Sequence, residues 1–306
     1  MDELEKKVNW HVLQGLTEAK AGDFAAAVDE FSRAIELAPD FAPLYYNRGR
    51  AHEDWGRPAV ALADYDRAIE RDPEYDQALN NRAGLCMRQG DAAGAIADWS
   101  AIVQRKPDFF EAFYNRGVAY AAQGRVGEAL ADLTHVIQLN PKMAATYVQR
   151  AKVGQAVRPI KDTLADFDRA LQLNAKDGLV FHARGLAFCS QRTREGVQRC
   201  IEDMDWALRY APPDFHYQIY QDRGVAYSLL VAEFGEQDAF EQAGADLGES
   251  IRLGSLFAYF ARAKLYEAVG QSGQAAADLK AFLAKGGGQA YGNLPQVQAA
   301  LRQLEQ

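Results

Sequence analysis

Apolar and small residues fall into two short helical stripes that alternate along the chain. In residues 42–75, Tyr45, Gly49 and His52 stand at i, i+4 and i+7, on one face of a helix. Gly56 interrupts the stripe where a helix would end, and a second stripe follows at Ala61, Tyr65, Ala68 and Ile69 before Asp72-Pro73 stops it. Small residues at Gly49, Ala61 and Ala68 let two antiparallel helices approach closely, while Tyr45 and Tyr65 fill the remaining space. The pattern then returns with a period of 34. Tyr45-Tyr46-Asn47-Arg48-Gly49 is echoed by Leu79–Ala83, Phe113–Gly117, Tyr147–Ala151, Phe181–Gly185, Tyr220–Gly224 and Tyr259–Ala263. Prolines at Pro39, Pro73, Pro107 and Pro141 keep the same spacing.

The aromatic–x3–Gly–x2–Tyr pattern, the central Gly, Ala–x3–aromatic–x2–Ala and the closing Pro resemble the tetratricopeptide repeat, in an Asn-Arg-Gly variant. The resemblance covers roughly residues 8–289 in units at 8–41, 42–75, 76–109, 110–143, 144–177, 178–214, 215–255 and 256–289. It implies an all-α, right-handed superhelical solenoid of about eight helix pairs. The unit from 144 carries Pro159 in its inter-helix turn and Asn174-Ala175 in place of the closing Pro. The next unit has three extra residues, expected in the turn at Arg192–Glu195, and the seventh has about seven more near Ala232–Glu241, expected to lengthen its helices. Gly286-Gly287-Gly288 reads as a flexible joint. The apolar positions Leu294, Val297, Ala300, Leu301 and Leu304 beyond it predict a C-terminal capping helix within 290–306.

An arginine precedes the small residue of nearly every first helix, and an aspartate precedes the packing residue of the matching second helix. Facing helices place such one-residue steps on the same flank. The spacing therefore predicts Arg48–Asp64, Arg82–Asp98, Arg116–Asp132, Arg150–Asp166, Arg184–Asp203, Arg223–Asp246 and Arg262–Asp278 as ion pairs that fix helix register. Because the acid travels with the arginine, these residues belong to the framework.

First helices of such a stack line its concave side. Counting from the small residue, the expected groove positions include Tyr46, Asn47, Arg50, Asn80, Asn81, Arg88, Tyr114, Asn115, Gln149 and Lys152, with His182, Leu186, Cys189, Val225, Ser228, Phe260 and Lys264 farther on. Asn47, Asn81, Asn115 and Gln149 make a carboxamide ladder able to pair both polar groups of a peptide unit. Tyr46 and Tyr114 add flat, amphipathic anchors. In the resembled family, similar asparagine ladders hold extended peptides. The family's two-carboxylate clamp for chaperone tails is not matched, since Tyr46 and Arg50, or Val12 and Leu16, occupy its opening Lys and Asn positions.

Composition narrows the chemistry. Lys and Arg number 34 against 42 Asp and Glu, for a net charge of −8, which disfavours a nucleic-acid backbone as partner. No stretch reaches the roughly 18 apolar residues of a membrane span, and no signal peptide is visible, so no membrane insertion is expected. Cys86, Cys189 and Cys200 lack metal-ligand spacing and are expected as unpaired thiols in a reducing cytoplasm, with Cys200 buried and inert. The five histidines are scattered over different repeat positions, and only His182 is placed toward the groove. No phosphate loop, nucleophile elbow or zinc motif occurs, so no catalytic residue, cofactor or metal is expected. The leading expectation is a non-catalytic adaptor holding another protein's extended segment or helix. The alternative is a self-assembling scaffold, a possible homo-oligomer formed through groove or terminal helices; an enzyme would need a site without any recognisable motif.

Overall fold

The computed structural model describes residues 2–305, and every regular element among the described residues is helical. They form two compact units, one up to Pro141 and the other from Lys142. The first contains α1 (Glu3–Ala21), α2 (Phe24–Leu37), α3 (Ala42–Asp54), α4 (Pro58–Arg71), α5 (Asp76–Arg88), α6 (Ala92–Arg105), α7 (Phe110–Ala122) and α8 (Val126–Leu139). The second contains α9 (Ala144–Gly154), α10 (Ile160–Leu173), α11 (Gly178–Cys189), α12 (Arg194–Tyr210), α13 (His216–Phe234), α14 (Ala239–Arg252), α15 (Phe257–Ala268), α16 (Ser272–Ala284), α17 (Gly287–Ala290) and α18 (Leu294–Leu304). Odd-numbered α1 to α15 are the first helices of successive antiparallel pairs. Their even-numbered partners up to α16 are the second.

Local chemistry sets the turns. Gly56, Gly90 and Gly124 close the first helices of their pairs at φ of 75°, 85° and 72°, a left-handed conformation that glycine adopts freely. Asp23 and Asp91 cap α2 and α6 by accepting from the amides of Ala26 and Gly94. In the sixth pair the same turn position holds Arg192, also left-handed at φ 50°. Packing between paired helices is tight at the small residue: a Cβ on Gly49 would lie 2.7 Å from the Tyr65 ring. Each unit buries its own core, dominated by Trp99, Ile102 and Leu79 in the first and by Met204, Ile219 and Leu247 in the second.

Three expectations are corrected or sharpened. The extra residues of the sixth pair do not enlarge its turn but lengthen α12 to 17 residues, against 14 in α10. Those of the seventh extend α13 to 19 residues. The glycine run is no loose joint: Gly287 and Gly288 are buried, and a Cβ on Gly287 would meet the Phe282 ring at 2.3 Å. Beyond it, α18 covers α16 and buries Val297 against Leu279 and Phe282.

Candidate functional site

All seven predicted Arg–Asp pairs form. In each, arginine Nε and Nη2 donate to the two carboxylate oxygens, as in Arg48–Asp64 at 2.9 and 2.7 Å and Arg116–Asp132 at 2.8 and 2.8 Å. Burial pushes Asp203 above the usual carboxylate range, against the lowering effect of Arg184. Sequence reasoning missed a third arm. Nη1 of Arg48, Arg82, Arg116 and Arg184 reaches back to Ser32, Asp66, Ser100 and Asp168 on the second helix of the preceding pair, at 3.1, 2.8, 3.2 and 2.6 Å. Arg223 likewise reaches Asp205. The signal was present, because these acceptors stand two residues after the position of the clamping aspartate. At the matching position before Arg262 stands Gly248, which has no side chain to accept.

The arginines are committed to framework, and the expected groove positions of the first unit have these surroundings. Tyr46 is half-buried, edge-on to Tyr75 at 5.4 Å between ring centroids and tilted on Tyr65 at 6.0 Å. Tyr65 donates to Glu53 Oε2 at 2.8 Å and accepts from Asn81 Nδ2 at 3.4 Å, and Arg88 pairs with the same Glu53. Burial, the largest influence, raises the Tyr65 phenol above its ordinary value, which keeps it a neutral donor. Asn81, Tyr65, Glu53 and Arg88 therefore form one polar strip beside Tyr46. Asn47 and Arg50 line a cavity of about 200 Å³ with Leu16, Lys20, Ala51 and Asp54. Tyr114 and Asn115 are half-buried on α7. Asn80 is drawn inward instead: its Oδ1 accepts from Trp99 Nε1 at 3.0 Å, because a buried indole N–H requires an acceptor.

In the second unit, Lys152 and Gln155 meet Leu179, His182, Leu186, Phe215 and Gln218 around a cavity of about 400 Å³. Gln149 is half-buried on α9. His182 does not stand alone, as its Nε2 lies 2.8 Å from Asp222 Oδ2, with Phe215 edge-on at 5.1 Å. Gln221 donates to the other Asp222 oxygen at 3.3 Å, and Ser255 Oγ donates to Gln221 Oε1 at 2.8 Å. The pairs that follow open a second, almost wholly apolar cavity of about 260 Å³, walled by Val225, Leu229, Phe257, Phe260 and Leu265 with Lys264 at its edge. Leu179 and Phe257 were missed as lining residues. Both sit six before the small residue, one turn beyond the expected groove offsets.

Cys189 and Cys200 are joined, with Cα atoms 5.4 Å apart, linking α11 to α12. This corrects the expectation of unpaired thiols and removes cysteine usage as an argument for a reducing compartment. Cys86 is the free, half-buried cysteine, its thiol pushed up chiefly by burial. Among the described residues no group of His, Cys, Asp and Glu could hold a metal, and no helix is long and apolar enough to cross a membrane.

A family model described as tetratricopeptide repeat matches residues 12–75, 46–103 and 87–144. No curated protein matches the sequence. Among solved structures, the fold is similar to a tetratricopeptide repeat protein from Parabacteroides merdae, at 18% identity and TM-score 0.60, covering 85% of this chain and 99% of that one. It is also similar to pilF of Pseudomonas aeruginosa, at 16% identity and TM-score 0.59, over 72% of this chain and 99% of that one. YrrB, described as a TPR protein with an unusual peptide-binding site, aligns at 20% identity and TM-score 0.53, over 60% of this chain and 93% of that one.

Proposed function

We propose that the chain is a non-catalytic scaffold of the tetratricopeptide-repeat kind, holding another polypeptide against its first helices; the family model over residues 12–144 and the shared fold support this, since tetratricopeptide-repeat proteins generally mediate protein–protein interaction. The observation that carries this is the lining of the second unit's cavities. Their walls combine apolar side chains, Leu179, Leu186, Leu229 and Phe260, with the amide groups of Gln155 and Gln218 and the cations Lys152 and Lys264. Such a surface seats large apolar side chains of a helix or extended segment while its amides meet exposed peptide groups. Asn47, Asn81 and Asn115 carry the same carboxamide chemistry on first helices of the first unit. A peptide-binding site in YrrB, a protein of similar fold, supports the reading.

The test is site-specific photocrosslinking in the source cell. A photoreactive residue at Leu186, Leu229 or Asn115 is expected to capture one polypeptide that the same residue at Arg67 or Glu202, on second helices, does not. Equal capture at all five positions, or capture only from the second helices, would sink the proposal.

A further inference from the structure

Four of the chain's exposed large apolar side chains crowd onto one helix: Leu4, Trp10, Leu13 and Leu16 of α1 are 49%, 55%, 61% and 46% exposed. The position of Trp10 is otherwise a buried one. One period on it is Leu44, then Ala78 and Ala112, and in the second unit Val180, Ile219 and Ala258, all between 0% and 5% exposed. Leu44 packs on Ala34 of α2, and Ala78 on Ala68 of α4, so this face of a first helix is normally covered by the second helix before it. On α1 the face is open. It runs Glu3, Lys6, Trp10, Leu13, Thr17, Lys20, the i, i+3, i+7 progression of one helical flank, and all six are exposed.

We infer that this face is a homodimer contact, in which two copies lay α1 against α1, antiparallel, about a two-fold axis. Charge and shape argue for that occupant. Antiparallel registry about the middle of the face sets Trp10 against the other copy's Leu13, Lys6 against Thr17 and Glu3 against Lys20. Both ends then carry opposite charges, and the apolar pair repeats itself by symmetry. Glu3 already meets Lys7 at 3.3 Å, but that exposed i,i+4 pair is weak and yields readily. Head-to-tail stacking of copies would need the outer face of α16, and α18 already covers it, with Val297 only 1% exposed. The contact does not depend on the groove proposal. One helix pair is a small interface, which sets the association in the transient class.

Sedimentation equilibrium of the full chain tests this, from roughly 5 to 500 µM, the range that a small interface demands. The mass is expected to rise from 33.8 kDa toward twice that value. Trp10→Glu and Leu13→Glu should each move the midpoint to at least about tenfold higher concentration, as loss of a central contact does. Glu3→Lys should weaken association, and Glu3→Lys with Lys20→Glu should restore it. Circular dichroism should be unchanged throughout, because every substituted side chain is exposed. A chain that stays monomeric over the whole range overturns the inference and gives the face to another occupant. A dimer indifferent to Trp10→Glu and Leu13→Glu overturns it in favour of another surface. Failure of the charge reversal to restore association overturns the antiparallel arrangement.

Discussion

Replacing Arg116 by Met keeps the aliphatic stem and removes the fork that holds Asp132. That aspartate is 6% exposed and loses two charge-assisted hydrogen bonds of 2.8 Å each, while Ser100 loses its contact at 3.2 Å. Hydrogen bonds to charged groups contribute about 1.5–3 kcal/mol each. Breaking a buried pair from one side usually costs about 3–5 kcal/mol, because the other charge is left without a partner. The Arg116 side chain keeps 16% of its exposure, so water partly relieves the carboxylate. The expected loss is therefore near the lower end, about 3 kcal/mol. Replacing both partners, as Arg116→Met with Asp132→Leu, removes the stranded charge and should cost no more than about 1 kcal/mol. Repeat arrays need not unfold in one step, so native-state hydrogen exchange of α7 and α8 amides is the suitable assay. A single substitution costing under about 1 kcal/mol, or a double one as damaging as the single, would refute the claim that these pairs are mutually dependent framework.

Four further outcomes follow from the same structure. His52 sits where later units place Tyr120 and Phe188; burial, the largest influence, pulls it below its ordinary value of 6.5, and its Nδ1 is buried without a partner. The fold favours the neutral ring, so stability should fall as pH drops below about 6.5 until the lowered folded value is passed, and His52→Phe should flatten that part of a melting-temperature profile. Gly49→Ala should destabilise by about 1–3 kcal/mol in urea melts and Gly117→Ala by less, since the new Cβ would meet Tyr65 at 2.7 Å but Leu133 at 3.2 Å. Arg192→Gly should stabilise the second unit by about 1 kcal/mol in the same melts by relieving its left-handed backbone. Without reductant the denatured chain should titrate one thiol, Cys86, and reduction should lower the stability of the second unit by about 2–3 kcal/mol through release of the short loop between Cys189 and Cys200.

The framework was legible because its signals repeat. Seven arginines and seven aspartates at matched steps leave one way for the helices to face, and left-handed glycines mark the turns. What repetition could not show were contacts made by one unit alone. Asn80 occupies a groove offset, yet only its pair has a buried Trp99 whose N–H needs an acceptor, so it turns inward. Cys189 and Cys200 were assigned separately to groove and core, and the lengthened α12 that sets their approach was read as a longer turn. His182 stood as an isolated histidine in sequence because its partner Asp222 lies a full unit away. The apolar cavity beside Phe260 draws on Ala232, which is helical only because α13 runs several residues past the usual helix end.

The central claim is that the first helices hold a polypeptide, and side-chain footprinting with a diffusible carbene tests it directly. With the captured partner bound at saturation, Leu186, Leu229 and Phe260 should lose labelling several-fold, as burial in an interface core requires, while Leu139 and Leu253 on second-helix ends should not. Unchanged labelling at Leu186, Leu229 and Phe260, with protection confined to Leu139, Leu253 or the α1 face, would contradict it.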